Sequence, residues 1–186
     1  VHLNWEKVAK RITSLVQKGR YLTEQEQAQY DKIQAEKDLT EEKYEELAKV
    51  VIKLCEKAET TLILHRFPEV VHHLGYDKLH LPLEMLKTIG RPEGLTLLGT
   101  SIHSVEDAKE AGRLGADYVF AGNIFETDCK KGLPGRGLEF LENVCKEVDI
   151  PVYAIGGITA EKMPQILGTG AAGGCMMSGF MQLKEK

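Results

Sequence analysis

From residue 61 onward, short apolar runs alternate with helical patterns at close intervals, and this limits the chain to an α/β fold. The strands read as Thr61–His65, Lys78–Leu81, Leu95–Thr100, Tyr118–Ala121, Pro151–Ile155 and Gly174–Met177. Between them, helical patterns fall over 68–74, 83–88, 105–114, 138–147 and 160–167, and Ser178-Gly179 opens a last short one. Ser104-x-x-Asp107 reads as a capping box with Gly115 as the stop, and Thr159 reads as the cap of the helix after it. Such spacing implies parallel strands joined by right-handed crossovers. A closed (β/α)8 barrel needs two more strands than these six, sought near Tyr30–Ala35 and Val1–Leu3. An open doubly wound sheet is the structural alternative.

The first sixty residues are less regular. Trp5, Val8, Ile12, Leu15 and Val16 recur at helical spacing, and Gly19 ends the run. Residues 20–38 are rich in Glu and Gln with almost no apolar face, and read as helix or mobile loop. Thr40 is placed to cap a helix whose buried stripe is Tyr44, Leu47, Val51 and Leu54. A chain of 186 residues with a net charge of −4 suits one domain, and its interleaved charges exclude a nucleic-acid-binding block. Cys55, Cys129, Cys145 and Cys175 lack CxxC spacing, which predicts a reducing, cytoplasmic setting without disulfides. No apolar run reaches the roughly 20 residues a membrane helix needs, and no signal-peptide pattern is visible.

Chemistry concentrates where the strand at 118–121 empties into Asn, Glu, Thr, Asp, Cys and two Lys before Gly132, Pro134, Gly135 and Gly137. In α/β barrels, active sites occupy the C-terminal ends of the strands. Gly156-Gly157 and then Ser178-Gly179 follow the last two strands. Their main-chain amides at helix starts suit a phosphate. Cys129 beside Lys130 and Lys131 is either a thiolate or a packing residue. His103 either enters the site or, the preferred reading, orients its loop and starts the helix. His72 and His73 read as solvated, and Arg136 as a loop residue that either covers the site or lies on the surface.

GTSIHS (99–104), GADYVFAGNIFETDCKKGLPGRG (115–137) and PVYAIGGIT (151–159) resemble the thiamine phosphate synthase/TenI superfamily. FETDCKKG followed by GRG is more similar to the TenI branch. The resemblance implies a single (β/α)8 TIM barrel over 1–186, incomplete at its N-terminal strands, acting in cytosolic thiamine biosynthesis on a thiazole phosphate. It also implies a homodimer as a possible assembly, with neither nucleic acid nor membrane as partner. The synthase reaction joins an aminopyrimidine diphosphate to the thiazole phosphate and uses Mg²⁺. Synthases resemble one another in an Asn-Asp pair, a Gln-x-Arg-x-Lys run and a later acid. This chain has His65-Arg66, Ile33-Gln34-Ala35-Glu36-Lys37 and His80-Leu81-Pro82-Leu83-Glu84 there. The expectation is therefore a TenI-type thiazole tautomerase, an isomerase without a metal or other cofactor. Asn123 stands at its acid/base position and impairs proton transfer, because a carboxamide does not titrate near neutrality. The synthase and a non-catalytic phosphate-binding regulator are the alternatives. The expected catalytic residues are Asn123, His65 and Lys130; the expected ligand-binding residues are Lys37, Ser101, Thr127, Gly156, Gly157, Ser178 and Gly179.

Overall fold

The computed structural model describes residues 40–127 and 133–176. They fall in two compact units divided after Tyr76. The first holds helix α1 (Glu41–Lys57), the short strand β1 (Leu64–His65) and helix α2 (Pro68–His73). The second holds β2 (Lys78–Pro82), α3 (Leu83–Ile89), β3 (Leu97–Ile102), α4 (Val105–Arg113) and β4 (Tyr118–Gly122). It continues with α5 (Gly137–Glu147), β5 (Val152–Ile155), a 3₁₀ turn (Ala160–Lys162), α6 (Met163–Leu167) and β6 (Gly173–Cys175). The expected elements at 1–35 and from Ser178 lie outside the described residues.

In the first unit, α1 buries Tyr44, Leu47, Ala48, Val51, Leu54 and Cys55, the stripe its spacing predicts. The Tyr44 ring lies 4.8 Å from that of Phe67. Its hydroxyl accepts the His65 backbone N–H at 2.8 Å, so one side chain ties helix to strand. Thr40 is extended at the N-cap but makes no side-chain cap bond.

In the second unit β2 to β6 are parallel neighbours in chain order. The order never reverses, whereas a doubly wound sheet reverses at its switch point. Successive strands with a helix after each are the arrangement of a (β/α)8 barrel wall. The pairing sorts side chains onto two faces. On one face register links Leu79 to Leu98, Leu81 to Thr100, Val119 and Val152, and Ile102 to Ala121 and Ala154. All are buried, and so are Leu86, Ala108, Ala111, Leu141, Val144 and Ile166 of the helices. Each fully buried Leu, Ile or Val contributes about 1.5–3 kcal/mol. The other face carries the rows His80–Gly99–Tyr118 and Pro82–Ser101–Phe120–Tyr153–Gly173. Polar and aromatic groups thus gather on one side of an otherwise aliphatic sheet.

Local detail departs from expectation at three places. The capping box forms on one side, with Ser104 Oγ accepting the Asp107 N–H at 3.0 Å. The Asp107 carboxylate reaches one residue further back, to the His103 N–H at 2.9 Å. The helix expected over 160–167 is split, because Pro164 has no N–H for the first turn and is tolerated only at a helix start. Thr159 makes no cap bond there. Its hydroxyl instead bonds the Glu161 carboxylate and holds it below the usual range.

Gly99 and Gly112 test the packing with opposite signs. A Cβ at Gly99 would lie 2.0 Å from the Tyr118 ring, whereas one at Gly112 would meet nothing within 4 Å. Gly99→Ala should lower the unfolding free energy by about 1–3 kcal/mol. Gly112→Ala, in the exposed last turn of α4, should raise it by up to about 1 kcal/mol. Urea titrations of both variants check the signs.

In the first unit, burial lowers the His65 imidazole to about 4, with the Arg66 charge adding to the effect. The unfolded chain then binds this proton more readily than the folded one. Stability from His65 is complete above the ordinary value of about 6.5 and is lost as pH falls toward 4, by roughly 3 kcal/mol at most. Urea midpoints at about pH 7.5 and about pH 4.5 should differ accordingly, and His65→Gln should shrink the difference.

Candidate active site at the strand C-terminal ends

The exits of β4 and β5 are hydrogen-bonded beyond the sheet. Ile124 N–H donates to the Ile155 carbonyl at 2.9 Å, and Phe125 N–H to that of Gly156 at 3.1 Å. A side chain on either glycine would part the loops. A Cβ at Gly156 would sit 2.5 Å from Asn123 Cβ, and one at Gly157 would sit 2.4 Å from the Glu126 carbonyl oxygen. Both glycines also have positive φ, 97° and 64°. Lys162 fastens the same junction. Its ammonium donates to the Gly157 carbonyl at 2.7 Å and lies 4.2 Å from the centre of the Phe125 ring.

The loop after β4 is closed at its neck. Arg136 N–H donates to the Asn123 carbonyl and Gly137 N–H to that of Ile124, both at 2.9 Å. Gly135 is required there, since a Cβ would lie 2.5 Å from the Ile124 carbonyl oxygen. Asn123 is buried, and its side-chain amide donates to the Phe125 carbonyl at 3.3 Å. Asn123 therefore shapes its own loop. The Arg136 guanidinium lies over Phe140, 5.4 Å from the ring centre. Thr127 sits in the segment leaving Asn123. Lys130 and Cys129, in the loop this neck closes, are outside the described residues, as are Lys37, Ser178 and Gly179.

The β3 exit is tied to β4 by His103. Its Nδ1 lies 2.8 Å from the Gly122 carbonyl. A carbonyl only accepts, so this nitrogen carries the proton and Nε2 is the acceptor of the neutral ring. The loop-orienting reading of His103 agrees with this geometry. Ser101, half-buried at the end of β3, has its Oγ 2.9 Å from His80 Nε2. His80 is the residue that sequence reasoning passed over as a site element. Its signal was a polar residue between Leu79 and Leu81 in a buried strand. The partners that give it a role come from β3 and β4.

The second unit places Ser101, Asn123, Thr127, Gly156 and Gly157 at or just after the C-terminal ends of β3, β4 and β5, and Asn123 meets Gly156 there. His65 belongs to the first unit. With its imidazole near 4 it stays neutral at pH 7 and is a weak base. Among the described residues no three His, Cys, Asp or Glu converge to hold a metal ion. Glu84 is well exposed and ion-paired with Lys87 at 2.8 Å. Cys55, Cys145 and Cys175 are free thiols, and burial pushes Cys175 up to about 12. No described helix is long and apolar enough to cross a membrane.

A family model described as thiamine monophosphate synthase matches residues 21–180. The thiamine-phosphate synthase of Caldivirga maquilingensis is 36% identical over 140 residues, 74% of this chain and 68% of that protein. Thiamine-phosphate synthase 2 of Streptococcus pneumoniae is 35% identical over 157 residues, 81% of this chain and 73% of that protein. The structure of a thiamine phosphate pyrophosphorylase from Pyrococcus furiosus superposes with a TM-score of 0.67 at 30% identity, covering 80% of this chain and 73% of that one.

These relatives overturn the expected isomerase. They carry the name of the synthase, a transferase, and displace both the tautomerase and the non-catalytic reading. Mg²⁺ commonly keeps several waters and binds through one or two carboxylates together with substrate phosphates. A missing Asn-Asp pair therefore does not exclude the synthase. Matched by the family model over most of its length, and above 30% identical to relatives across more than two thirds of it, the chain belongs to the thiamine monophosphate synthase family.

Proposed function

We propose that this protein is a thiamine-phosphate synthase, joining an aminopyrimidine diphosphate to a thiazole phosphate in one barrel domain. The observation that carries this reading is its relatedness to named synthases, 36% and 35% identical over 140 and 157 residues. A carbon–oxygen bond to diphosphate breaks as the pyrimidine's carbon bonds to the thiazole, and pyrophosphate leaves. Negative charge grows on the leaving group, so donors placed beforehand around it lower the barrier.

The described residues supply such donors from three neighbouring strand ends. They are the Ser101 hydroxyl at the end of β3, Thr127 after β4, and the main-chain amides at Gly156-Gly157 after β5. Lys130, Ser178 and Gly179 complete the proposed anion-binding set of this unit, with the Lys130 ammonium as a point charge. His65 and Asn123 have no proton-transfer role in this reaction. Asn123 instead fixes the β4 exit through its bond to Phe125. The described residues do not form a carboxylate cage for Mg²⁺. Its place is with the diphosphate, whose charge it neutralises when bound.

Incubated with the aminopyrimidine diphosphate, thiazole phosphate and Mg²⁺, the protein should release thiamine phosphate and pyrophosphate in equal amounts. Absence of both products, with each substrate shown to be intact, overturns the reading. Lys130→Gln should lower kcat/KM for the diphosphate substrate about 10- to 100-fold, the effect of losing one charge-assisted contact. Steady-state kinetics with the diphosphate varied give that ratio. An unchanged value removes Lys130 from the site.

A further inference from the structure

On the face opposite the aliphatic one, polar groups of two neighbouring rows are joined by hydrogen bonds. The Tyr118 hydroxyl lies 3.0 Å from His80 Nδ1, and His80 Nε2 lies 2.9 Å from Ser101 Oγ. Three strands contribute one residue each: β2, β3 and β4. The pairing is cross-strand by construction. His80 is in register with Gly99 and Gly99 with Tyr118, so the tyrosine must reach across β3 to meet the histidine. Gly99 lets it pass, because the Tyr118 ring occupies the space a Cβ would take. The His80 ring is also held flat, stacked on Phe120 with centroids 4.7 Å apart and planes 28° apart. His80 and Tyr118 are each only 4% exposed, whereas Ser101 is half-buried at the strand end.

We propose that Tyr118 and His80 form a positioning relay that turns the Ser101 hydroxyl proton outward, making it a donor to an anionic diphosphate oxygen. The inference deepens the synthase reading and rests on it for the class of ligand. Two proton arrangements fit the distances. In one, the phenol donates to Nδ1, Nε2–H donates to Ser101 Oγ, and the serine proton is left for the ligand. In the other, the serine donates inward to Nε2, Nδ1–H donates to the phenol oxygen, and the phenol proton is left over. That proton would be left on a side chain only 4% exposed, with the Phe120 and Tyr153 ring centroids 5.2 and 5.9 Å from its own. Phenol is the stronger acid of the pair and imidazole the stronger base, which favours the first arrangement. Burial keeps the Tyr118 hydroxyl protonated far above neutrality, so its proton is always present to donate. The first arrangement leaves no buried donor unused, and buried polar groups cost least when every donor has an acceptor. It also gives the serine the polarity an anion requires.

The relay is tested on the whole protein in two ways. Nitrogen-15 spectroscopy of the assigned His80 ring at about pH 8 should show the proton on Nε2 and a bare, accepting Nδ1. A proton on Nδ1, alone or with Nε2, overturns the relay whatever the protein catalyses. Calorimetric titration with inorganic pyrophosphate then reads the consequence. Ser101→Ala should weaken binding about tenfold and Tyr118→Phe several-fold. In the Ser101→Ala background, Tyr118→Phe should change nothing further, because it acts only through the serine. Equal losses from Tyr118→Phe in both backgrounds would mark the tyrosine as merely structural and sink the proposal. If the unsubstituted protein ignores pyrophosphate, the ligand class falls while the ring spectrum still decides the proton arrangement. Should Tyr118→Phe fail to fold, His80→Gln in both backgrounds gives the same comparison, since the glutamine amide can still reach Ser101 but has no locked tautomer.

Discussion

Two main-chain hydrogen bonds past the ends of the strands hold the rest of the site in place. Ile124 N–H to Ile155 and Phe125 N–H to Gly156 extend the β4–β5 ladder into what would otherwise be two independent loops. Everything downstream inherits that geometry. The carbonyls of Asn123 and Ile124 become fixed acceptors for Arg136 and Gly137, which close the neck of the loop holding Lys130. The ladder continues only because Gly156 and Gly157 have no side chains, since a Cβ on either would strike Asn123 or Glu126. The glycine pair, read from sequence as an anion cradle, thus has a structural duty that is independent of any ligand. Lys162 adds a cation to the junction while bonding the Gly157 carbonyl.

The two faces of the sheet divide the labour. One is aliphatic and buried against helices, and gives cohesion without specificity. The other gathers His80, Ser101, Tyr118, Phe120 and Tyr153, where hydrogen bonds and ring geometry fix single orientations. Small residues at Gly99 and Gly173 make the second arrangement possible. The Tyr118 ring crosses Gly99, and the Tyr153 ring lies about as close to Gly173 as a Cβ would allow, at 3.3 Å. A glycine within a strand costs conformational entropy and a packing group. At Gly99 this is offset by the Tyr118 ring, which takes the vacated volume.

Much of this was legible in the chain itself. Periodicity placed six strands after residue 60, and their order and parallel pairing follow from the alternation with helices. The strand ends moved by one to three residues because pairing, rather than hydropathy, sets them. Thr61 to Ile63 drop out of β1, and Ser101 and Ile102 join β3. The glycine loop was visible because Gly-Gly before a helix is a local pattern. His80 was not, because its meaning lies in Tyr118 and Ser101, 38 and 21 residues away. No spacing rule links residues that only strand register brings together. The split at Pro164 was there to be read, yet the apolar pattern over 160–167 masked it.

The functional misreading has a different origin. Asn123 was weighed as a failed acid/base group, which presumes that its position exists to move a proton. The structure gives the side chain another employment, a bond to the Phe125 carbonyl inside the β4 exit. A carboxamide suits that task because it donates without titrating, so the loop keeps its shape across the whole working pH range. In diphosphate transfer the departing group leaves as an anion that fixed donors stabilise, and no protein base has to take a proton from carbon. An asparagine there is a deficiency only for the isomerisation. For the transfer it is a neutral brace, placed between the serine end of β3 and the glycine loop of β5.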